Sequence, residues 1–547
     1  MHIVIPMSGI GKRFIDGGYD VPKPLIEIDG KPIIQYVVEL FPGETKFTFI
    51  CNHIHLETTQ MRETLMAIAP HGEIVAIDTH VLGPVYTVAQ VMDRIDDDEE
   101  VIVNYCDFGT YWDYDDFLSH TRNRDADGAI VSYKGFHPHM LGATKYATIR
   151  ETEQWMLEIR EKGSFTNDRM SEFVSNGTYY FKKGSYVKKY FSALMDRDIS
   201  LNGEFYVSLI YNLLIDDGLK VSVYDIQHML QWGEPFDFGS YRNFSNYFKR
   251  TVHDVPGWKP QVKSVTLISL LDRDRLFEAE GYDLPKPLLP VSGMPMTVLA
   301  NRQLPSSEKN VYICSTDDCE KYGLDQSIRD QNPEAIVEMV DNAAGGSVMS
   351  YRSGLKHVDG ASPLLIGSCD SSVLWDHDKY QSLLDDQSID AIVWTFKGYP
   401  PAIVRPAGYG WVVADSGIAT SISVNAPLSD NPEADYASIG VYYFRSASMV
   451  KLVLDGLDKG DACIDDAYDL NSLMNALIKQ GKKVAIFEVD SYISWGTPGE
   501  YETFNYWQSF FHKNRDHIYD LGNDPFVDKK SLQSLVDKFT DFKQNFI

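Results

Sequence analysis

Cysteine is scarce in this chain: six in 547 residues, with no Cys-x-x-Cys pair. That count and spread argue against a disulfide framework and suit a reducing compartment. No run of about 18 apolar residues occurs, and no basic stretch leads into an apolar one at the amino terminus. The expectation is therefore neither a membrane span nor a signal peptide, and a cytoplasmic protein. Positive charge is in deficit: 50 Lys and Arg against 78 Asp and Glu leave a net charge of −28. Such a balance argues against a nucleic-acid partner or an anionic membrane surface. Glycine motifs of two familiar kinds are also missing. No Gly-Lys-Ser/Thr closes a Walker loop, and no third glycine completes a dinucleotide fingerprint.

What is present is a different glycine loop. His2-Ile3-Val4-Ile5-Pro6 reads as a buried strand, and Pro32-Ile33-Ile34-Gln35-Tyr36 reads as the start of a helix. Between them lie Met7-Ser8-Gly9-Ile10-Gly11-Lys12-Arg13-Phe14 and then Pro22-Lys23-Pro24-Leu25. A loop at the carboxyl end of a first strand is where open α/β sheets bind ligands. Gly9 and Gly11 leave backbone amides open to a phosphate, and Lys12, Arg13 and Lys23 add positive charge beside them. An anion with several phosphate oxygens suits this loop; a tight turn with solvated charges is the bland alternative.

Apolar runs at Lys46–Cys51, Glu73–Ile77 and Val101–Tyr105 read as strands. After Gly83-Pro84, the residues Val85, Val88, Ala89, Met92 and Ile95 fall on one helix face. The alternation predicts a mostly parallel sheet covered by helices. The second half then repeats the first. Gly18-Tyr19-Asp20-Val21-Pro22-Lys23-Pro24-Leu25 recurs 263 residues later as Gly281-Tyr282-Asp283-Leu284-Pro285-Lys286-Pro287-Leu288. The same offset carries Cys51 to Cys314, Asp107 to Asp370, Gly177 to Gly440 and Trp232-Gly233 to Trp495-Gly496. One register held across so many anchors reads as a tandem duplication of one domain. The expected division is 1–250, a linker at 251–263, a second copy at 264–510 and a helical tail at 511–547. In the tail Leu532, Leu535, Val536, Phe539 and Phe542 form a packing stripe, within the chain or against a second copy of it.

Gly-x-Gly-x-Arg-Phe followed by Pro-Lys-Pro-Leu resembles the signature of the sugar-phosphate nucleotidylyltransferases. The resemblance implies an α/β fold: two tandem Rossmann-like, GT-A-like domains, each a mostly parallel mixed sheet with helices on both faces. It implies that Met7 to Arg13, Lys23 and Gly83 bind the nucleotide, with the base lying near Asp78 to Gly83. Asp107 then binds Mg²⁺, a hard cation suited to carboxylate and phosphate oxygens. The family's second metal-ligand acid falls at Gln231 here, which leaves Asp237 or Asp225 as substitutes, or Asp107 with phosphates and water. Glu161 and Lys162 resemble the family's Glu-Lys pair that grips the acceptor phosphate. Asn176, Gly177 and Glu204 resemble acceptor contacts, although Glu204 also suits a capping box. Arg13, Lys23, Asp107 and Lys162 are the expected catalytic set.

The copies differ where chemistry would sit. Gly9, Gly11 and Arg13 become Asp272, Asp274 and Leu276, and Glu161-Lys162 becomes Val424-Asn425. Carboxylates in a phosphate loop repel a triphosphate, so the chemistry is assigned to the first half. The expected reaction joins an NTP to a sugar 1-phosphate or another small phosphomonoester, releasing pyrophosphate, for surface-polysaccharide or related glycoconjugate precursors. Rival readings are a nucleotide-sugar-dependent glycosyltransferase using Asp113 and Asp115, and a non-catalytic sensor or scaffold.

Overall fold

The structure is a computed structural model that describes residues 1–271, 276–341, 347–424, 426–457 and 469–540. Asp272, Asp274, Asn425 and Phe542 lie outside the described residues. Two compact units emerge, the first at Met1–Arg242 and the second beginning at Asn243.

The first unit is built on a nine-stranded mixed sheet. Its order is Glu73–Ile77, Lys46–Asn52, His2–Met7, Val101–Asn104, Phe173–Phe181, Gly128–Tyr133, Val221–Asp225, Trp155–Arg160 and Thr148–Thr152. Pairing is parallel from Glu73–Ile77 through Val101–Asn104, and again between Gly128–Tyr133 and Val221–Asp225. Phe173–Phe181 runs antiparallel between these two groups. His2–Met7 is buried along its whole length, as expected of a strand covered on both faces. Val4 joins a core with Val85 and Val88 of the helix Pro84–Ala89 and Val187 of the helix Gly184–Asp196. The helix Ile33–Glu39, buried through Ile33, Ile34 and Val37, packs elsewhere, on the strand Phe108–Tyr111.

The helix read through Ile95 ends at Ala89 and resumes as a single tight turn at Met92–Arg94. Val85, Val88, Val91 and Ile95 are still buried in one cluster. The apolar spacing therefore marks a continuous buried stripe although the helix is interrupted.

The second unit repeats the strand order position for position: Ile336–Val340, Lys309–Ser315, Val265–Ser269, Leu364–Gly367, Tyr436–Phe444, Ala391–Phe396, Val484–Glu488, Ile418–Val424 and Gly410–Asp415. A two-stranded ribbon accompanies each sheet. Phe108 pairs with Gln231 in the first and Ser371 with Ser494 in the second, at the same 263-residue offset. The α/β architecture with two similar domains is thus present as expected. The carboxyl-terminal segment packs within the second unit: Tyr519, Leu521, Phe526, Val527 and Phe539 are buried, and Ser531 Oγ donates to the Gly293 carbonyl at 3.1 Å. The helix there runs Leu532–Thr540.

Candidate active site

The carboxyl end of His2–Met7 leads into a loop whose two ends are tied down and whose middle is open. Gly11 adopts φ +71° as the amino-terminal cap of the short helix Lys12–Asp16, a left-handed conformation that glycine takes without strain. Phe14 is buried and packs edge-on against Tyr19 and Phe238, at 5.1 and 6.2 Å between ring centres. Its neighbour Arg13 faces outward and pairs with Glu234. Gly9 and Ile10 are exposed, and a Cβ at Gly9 or Gly11 would meet nothing within 4 Å. Space is open around the loop backbone, as phosphate approach requires.

Lys23 lies over the Phe14 ring at 5.3 Å and donates to Asp107 Oδ2 at 3.0 Å. Asp107 follows Val101–Asn104, and its carbonyl accepts from Trp232 N–H at 3.2 Å. Gln231 stands beside it: a Cβ built on Gly233 would lie 3.1 Å from Asp107 Oδ2 and 3.2 Å from Gln231 Nε2.

Phe173–Phe181 bulges where it passes this point, its register against Gly128–Tyr133 shifting between Ser175 and Tyr179. Gly177 sits in the bulge at φ +105°, where a Cβ would press on the Phe108 ring at 2.9 Å. The Asn176 side chain holds the bulge: its amide donates to Thr110 Oγ1 and its oxygen accepts from Thr178 N–H, both at 2.9 Å.

Lys162 has φ +49°, a strained value for a side-chain-bearing residue. Its ammonium reaches the Tyr206 hydroxyl at 2.5 Å. Tyr206 in turn donates to the Glu204 carboxylate. Burial pushes the Tyr206 hydroxyl up, and the Glu204 carboxylate adds to the shift. Burial also pushes the Glu161 carboxyl up, against the Ser208 hydroxyl bonded to it and the Lys162 charge. Glu204 is not a helix cap. Asn202 and Gly203 both have positive φ, and Leu201 pairs with Glu204 across them in a tight hairpin turn.

These groups line one cleft of about 500 Å³, shared by Arg13, Lys23, Asp107, Glu161, Lys162, Asn176, Gly177 and Glu204. Gln231, at the position of the family's second metal-ligand acid, lines it too, as do Lys145, Tyr146 and Glu234, which the sequence reading did not assign to the site. The Tyr146 hydroxyl is buried there with no hydrogen-bond partner. Met7, Ser8, Gly9, Ile10, Gly11, Lys12, Gly83 and Asp237 are not among the lining residues. Gly83 has a backbone reason to be glycine. At φ +86° its Cβ would stand 2.8 Å from the Phe205 nitrogen and oxygen. Asp113, the first acid of the glycosyltransferase alternative, caps the helix Tyr114–Asn123 by accepting from Asp116 N–H at 2.9 Å.

Among the described residues no three His, Cys, Asp or Glu side chains gather to hold a metal ion. Mg²⁺ commonly binds through one or two carboxylates with substrate phosphates and water. Asp107, with Gln231 beside it, fits a cation that arrives with a nucleotide.

Residues 3–171 match the family described as MobA-like NTP transferase domain. This stretch of the first unit is thus similar to an NTP transferase domain. The match includes the glycine loop, Asp107, Glu161 and Lys162, and the protein is an enzyme of the nucleotidyltransferase type. No curated protein sequence matches the chain. Similar solved structures include a nucleoside-diphosphate-sugar pyrophosphorylase from Vibrio cholerae RC9, at 20% identity over 44% of this chain and 99% of that one, with a TM-score of 0.38. The inositol-1-phosphate CTP transferase from T. maritima is 17% identical over 43% and 90%, with a TM-score of 0.34. No helix among the described residues is long and apolar enough to cross a membrane.

In the second unit the counterpart of the Lys23–Asp107 ion pair is intact. Lys286 donates to Asp370 Oδ2 at 2.9 Å. Burial pushes the Asp370 carboxyl up, but Lys286 and the Ser368 hydroxyl outweigh it and hold the group below its ordinary range. The Arg13–Glu234 pair has no counterpart, since Leu276 and Thr497 occupy those positions. Thr497 instead caps the helix Pro498–Lys513.

Proposed function

We propose that this chain condenses an NTP with a phosphorylated small molecule, most simply a sugar 1-phosphate, and releases pyrophosphate. An oxygen of the acceptor phosphate attacks the α-phosphorus, the bond from that phosphorus to the bridging oxygen breaks, and pyrophosphate carries the electron pair away. Such transfers depend on in-line positioning and charge neutralisation more than on an enzyme nucleophile.

The observation that carries this reading is the grouping of Arg13, Lys23, Lys145 and Lys162 around one cleft of the matched domain. Four cations suit two phosphorylated substrates. The loop from Met7 to Lys12 and Arg13 would hold the leaving pyrophosphate. Arg13 is mostly exposed and, among the described residues, pairs with Glu234 alone, so it can turn to a phosphate by giving up that one ion pair. Lys23 would steady charge on the α-phosphate, and Lys162 would orient the acceptor phosphate. Glu161, Asn176, Gly177 and Glu204 would shape the acceptor end, and the Tyr146 hydroxyl, buried in the same cleft without a hydrogen-bond partner, offers a further polar contact. Asp107 would hold Mg²⁺, which neutralises phosphate charge when bound.

The second unit is read as a non-catalytic copy that arose by tandem duplication. NTP as substrate and a reduced set of cysteines suit the cytoplasm, and the nucleotide-linked product suits synthesis of surface-polysaccharide precursors. The test is pyrophosphate release from each of CTP, UTP, dTTP and GTP against a panel of phosphomonoesters. Release that requires both partners supports the reading; none with any pair overturns it.

A further inference from the structure

The mechanism above leaves one buried polar network unused. Ser8, the last residue before the glycine loop, is 4% exposed, and Thr87 is 2% exposed. His80 lies between them, with Nε2 3.2 Å from Ser8 Oγ and 3.0 Å from Thr87 Oγ1. His80 Nδ1 accepts from the Leu82 N–H at 3.2 Å. A neutral ring that accepts at Nδ1 carries its proton on Nε2, so the histidine donates toward the two hydroxyls. Thr87 Oγ1 in turn donates to the Gly83 carbonyl at 3.3 Å. Burial lowers the pKa of His80, which keeps the ring in this neutral form. Asn52 adds a second brace: its Nδ2 donates to the Ser8 carbonyl at 3.3 Å and to Thr79 Oγ1 at 3.0 Å.

We propose that His80 is a positioning residue that fixes the separation between the glycine loop and the segment Asp78 to Gly83, to which the family resemblance assigns the phosphates and the base of the nucleotide. This rests on the nucleotidyltransferase reading above. An NTP spans both places in one molecule, so its affinity depends on how well their spacing matches the ligand. The middle of the loop has no packing of its own, since Gly9 and Ile10 are exposed. Its anchors are Phe14 at one end and Ser8 at the other, and Ser8 is the end that His80 holds.

A packing role alone does not account for the network. The second unit folds with the same strand order but has Leu271 in place of Ser8 and Ala343 in place of His80. Ser350, the counterpart of Thr87, is bonded to Ser269 at 2.8 Å. The histidine therefore accompanies the glycine loop and not the fold.

The test compares equilibrium binding of inorganic pyrophosphate, a nucleoside monophosphate and the NTP, using whichever of CTP, UTP, dTTP and GTP the wild-type chain binds. His80→Asn keeps an acceptor near the Leu82 amide but falls short of Ser8 and Thr87. It should weaken NTP binding about tenfold while each fragment stays within about twofold, because only the NTP bridges both places. His80→Gln can still place a donor near the Nε2 position and should recover most of the loss. Thr87→Val, which removes the other hydroxyl at Nε2 without touching the loop, should behave as His80→Asn does, and it serves if that variant fails to fold. The KM for NTP should rise more than kcat falls. The proposal is overturned if pyrophosphate weakens as much as NTP, which would mean simple loss of loop order, or if NTP binding is unchanged. A wild-type chain that binds neither pyrophosphate nor any NTP would overturn the nucleotide reading itself, and this inference with it.

Discussion

Asp237→Asn should stabilise the first unit at neutral pH and cease to do so in acid. Asp237 lies in the first turn of the helix Pro235–Thr251, and burial pushes its carboxyl up from an ordinary 3.8 to about 6, with only Lys145 pulling the other way. The folded state therefore binds this proton more tightly than the unfolded state does. A raised carboxyl pKa makes stability fall as pH rises from about 4 to about 6, after which the cost is constant. The shift corresponds to about 3 kcal/mol as an upper bound, at about 1.4 kcal/mol per unit. Asparagine removes the charge but also removes a favourable interaction with the helix amino terminus, about 0.5 kcal/mol. The expected net gain at pH 7 is about 1–2 kcal/mol, shrinking toward zero near pH 4. Hydrogen exchange in urea, read at amides of residues 1–242, follows this unit by itself. A variant less stable than wild type at pH 7, or a difference that does not change with pH, would refute the argument. A carboxylate kept at such cost also invites a cation, so Mg²⁺ added with NTP should stabilise wild type more than Asp237→Asn if Asp237 is the second metal ligand.

Other outcomes follow from the same geometry. Arg13→Ala should lower turnover by about 10²-fold, the scale of a lost charge-stabilising contact in the transition state, measured as pyrophosphate release from folded protein. Lys23→Ala and Asp107→Ala should abolish turnover, whereas Lys286→Ala should leave it within a few-fold while destabilising the second unit by about 1–2 kcal/mol, because it removes the cation from the partly buried Asp370 carboxylate. Gly83→Ala should destabilise the first unit by about 2 kcal/mol or more, since its Cβ would meet the Phe205 backbone at 2.8 Å and its φ is +86°; an unchanged thermal midpoint would show that this approach relaxes freely.

The strand, loop and helix that open the chain were legible because their signals are local: an apolar run, two glycines, then an apolar face at helical spacing. Of the two readings of Glu204, acceptor contact or helix cap, the cap falls, and Asn202-Gly203 is the local turn signal that speaks against it. Other features are long-range and leave no local trace. Glu234 meets Arg13 across 221 residues of chain, and its own neighbourhood reads only as a variant of a metal-ligand motif. His80 is a lone histidine between turn residues until the fold brings Ser8 and Thr87 to its ring.

The two units also show which residues carry functional information and which do not. Lys23 bonds Asp107 at 3.0 Å and Lys286 bonds Asp370 at 2.9 Å, through the same atoms at the same register. Both carboxylates are half-buried, with side chains 30% and 26% exposed, and each gains from a neighbouring cation whether or not a substrate ever arrives, because water solvates its charge only in part. The Lys-Asp pair is thus retained by the fold and is weak evidence of chemistry on its own. The informative positions are those free to change without damage to the core: Arg13 against Leu276, Glu234 against Thr497, Ser8 against Leu271, and Glu161-Lys162 against Val424-Asn425. They change together, each charged group giving way to an uncharged one and Ser8 to an apolar one. Joint loss at four separate points, with the strand order and the ion pair intact, is what release from a binding requirement leaves behind in a domain that must still fold.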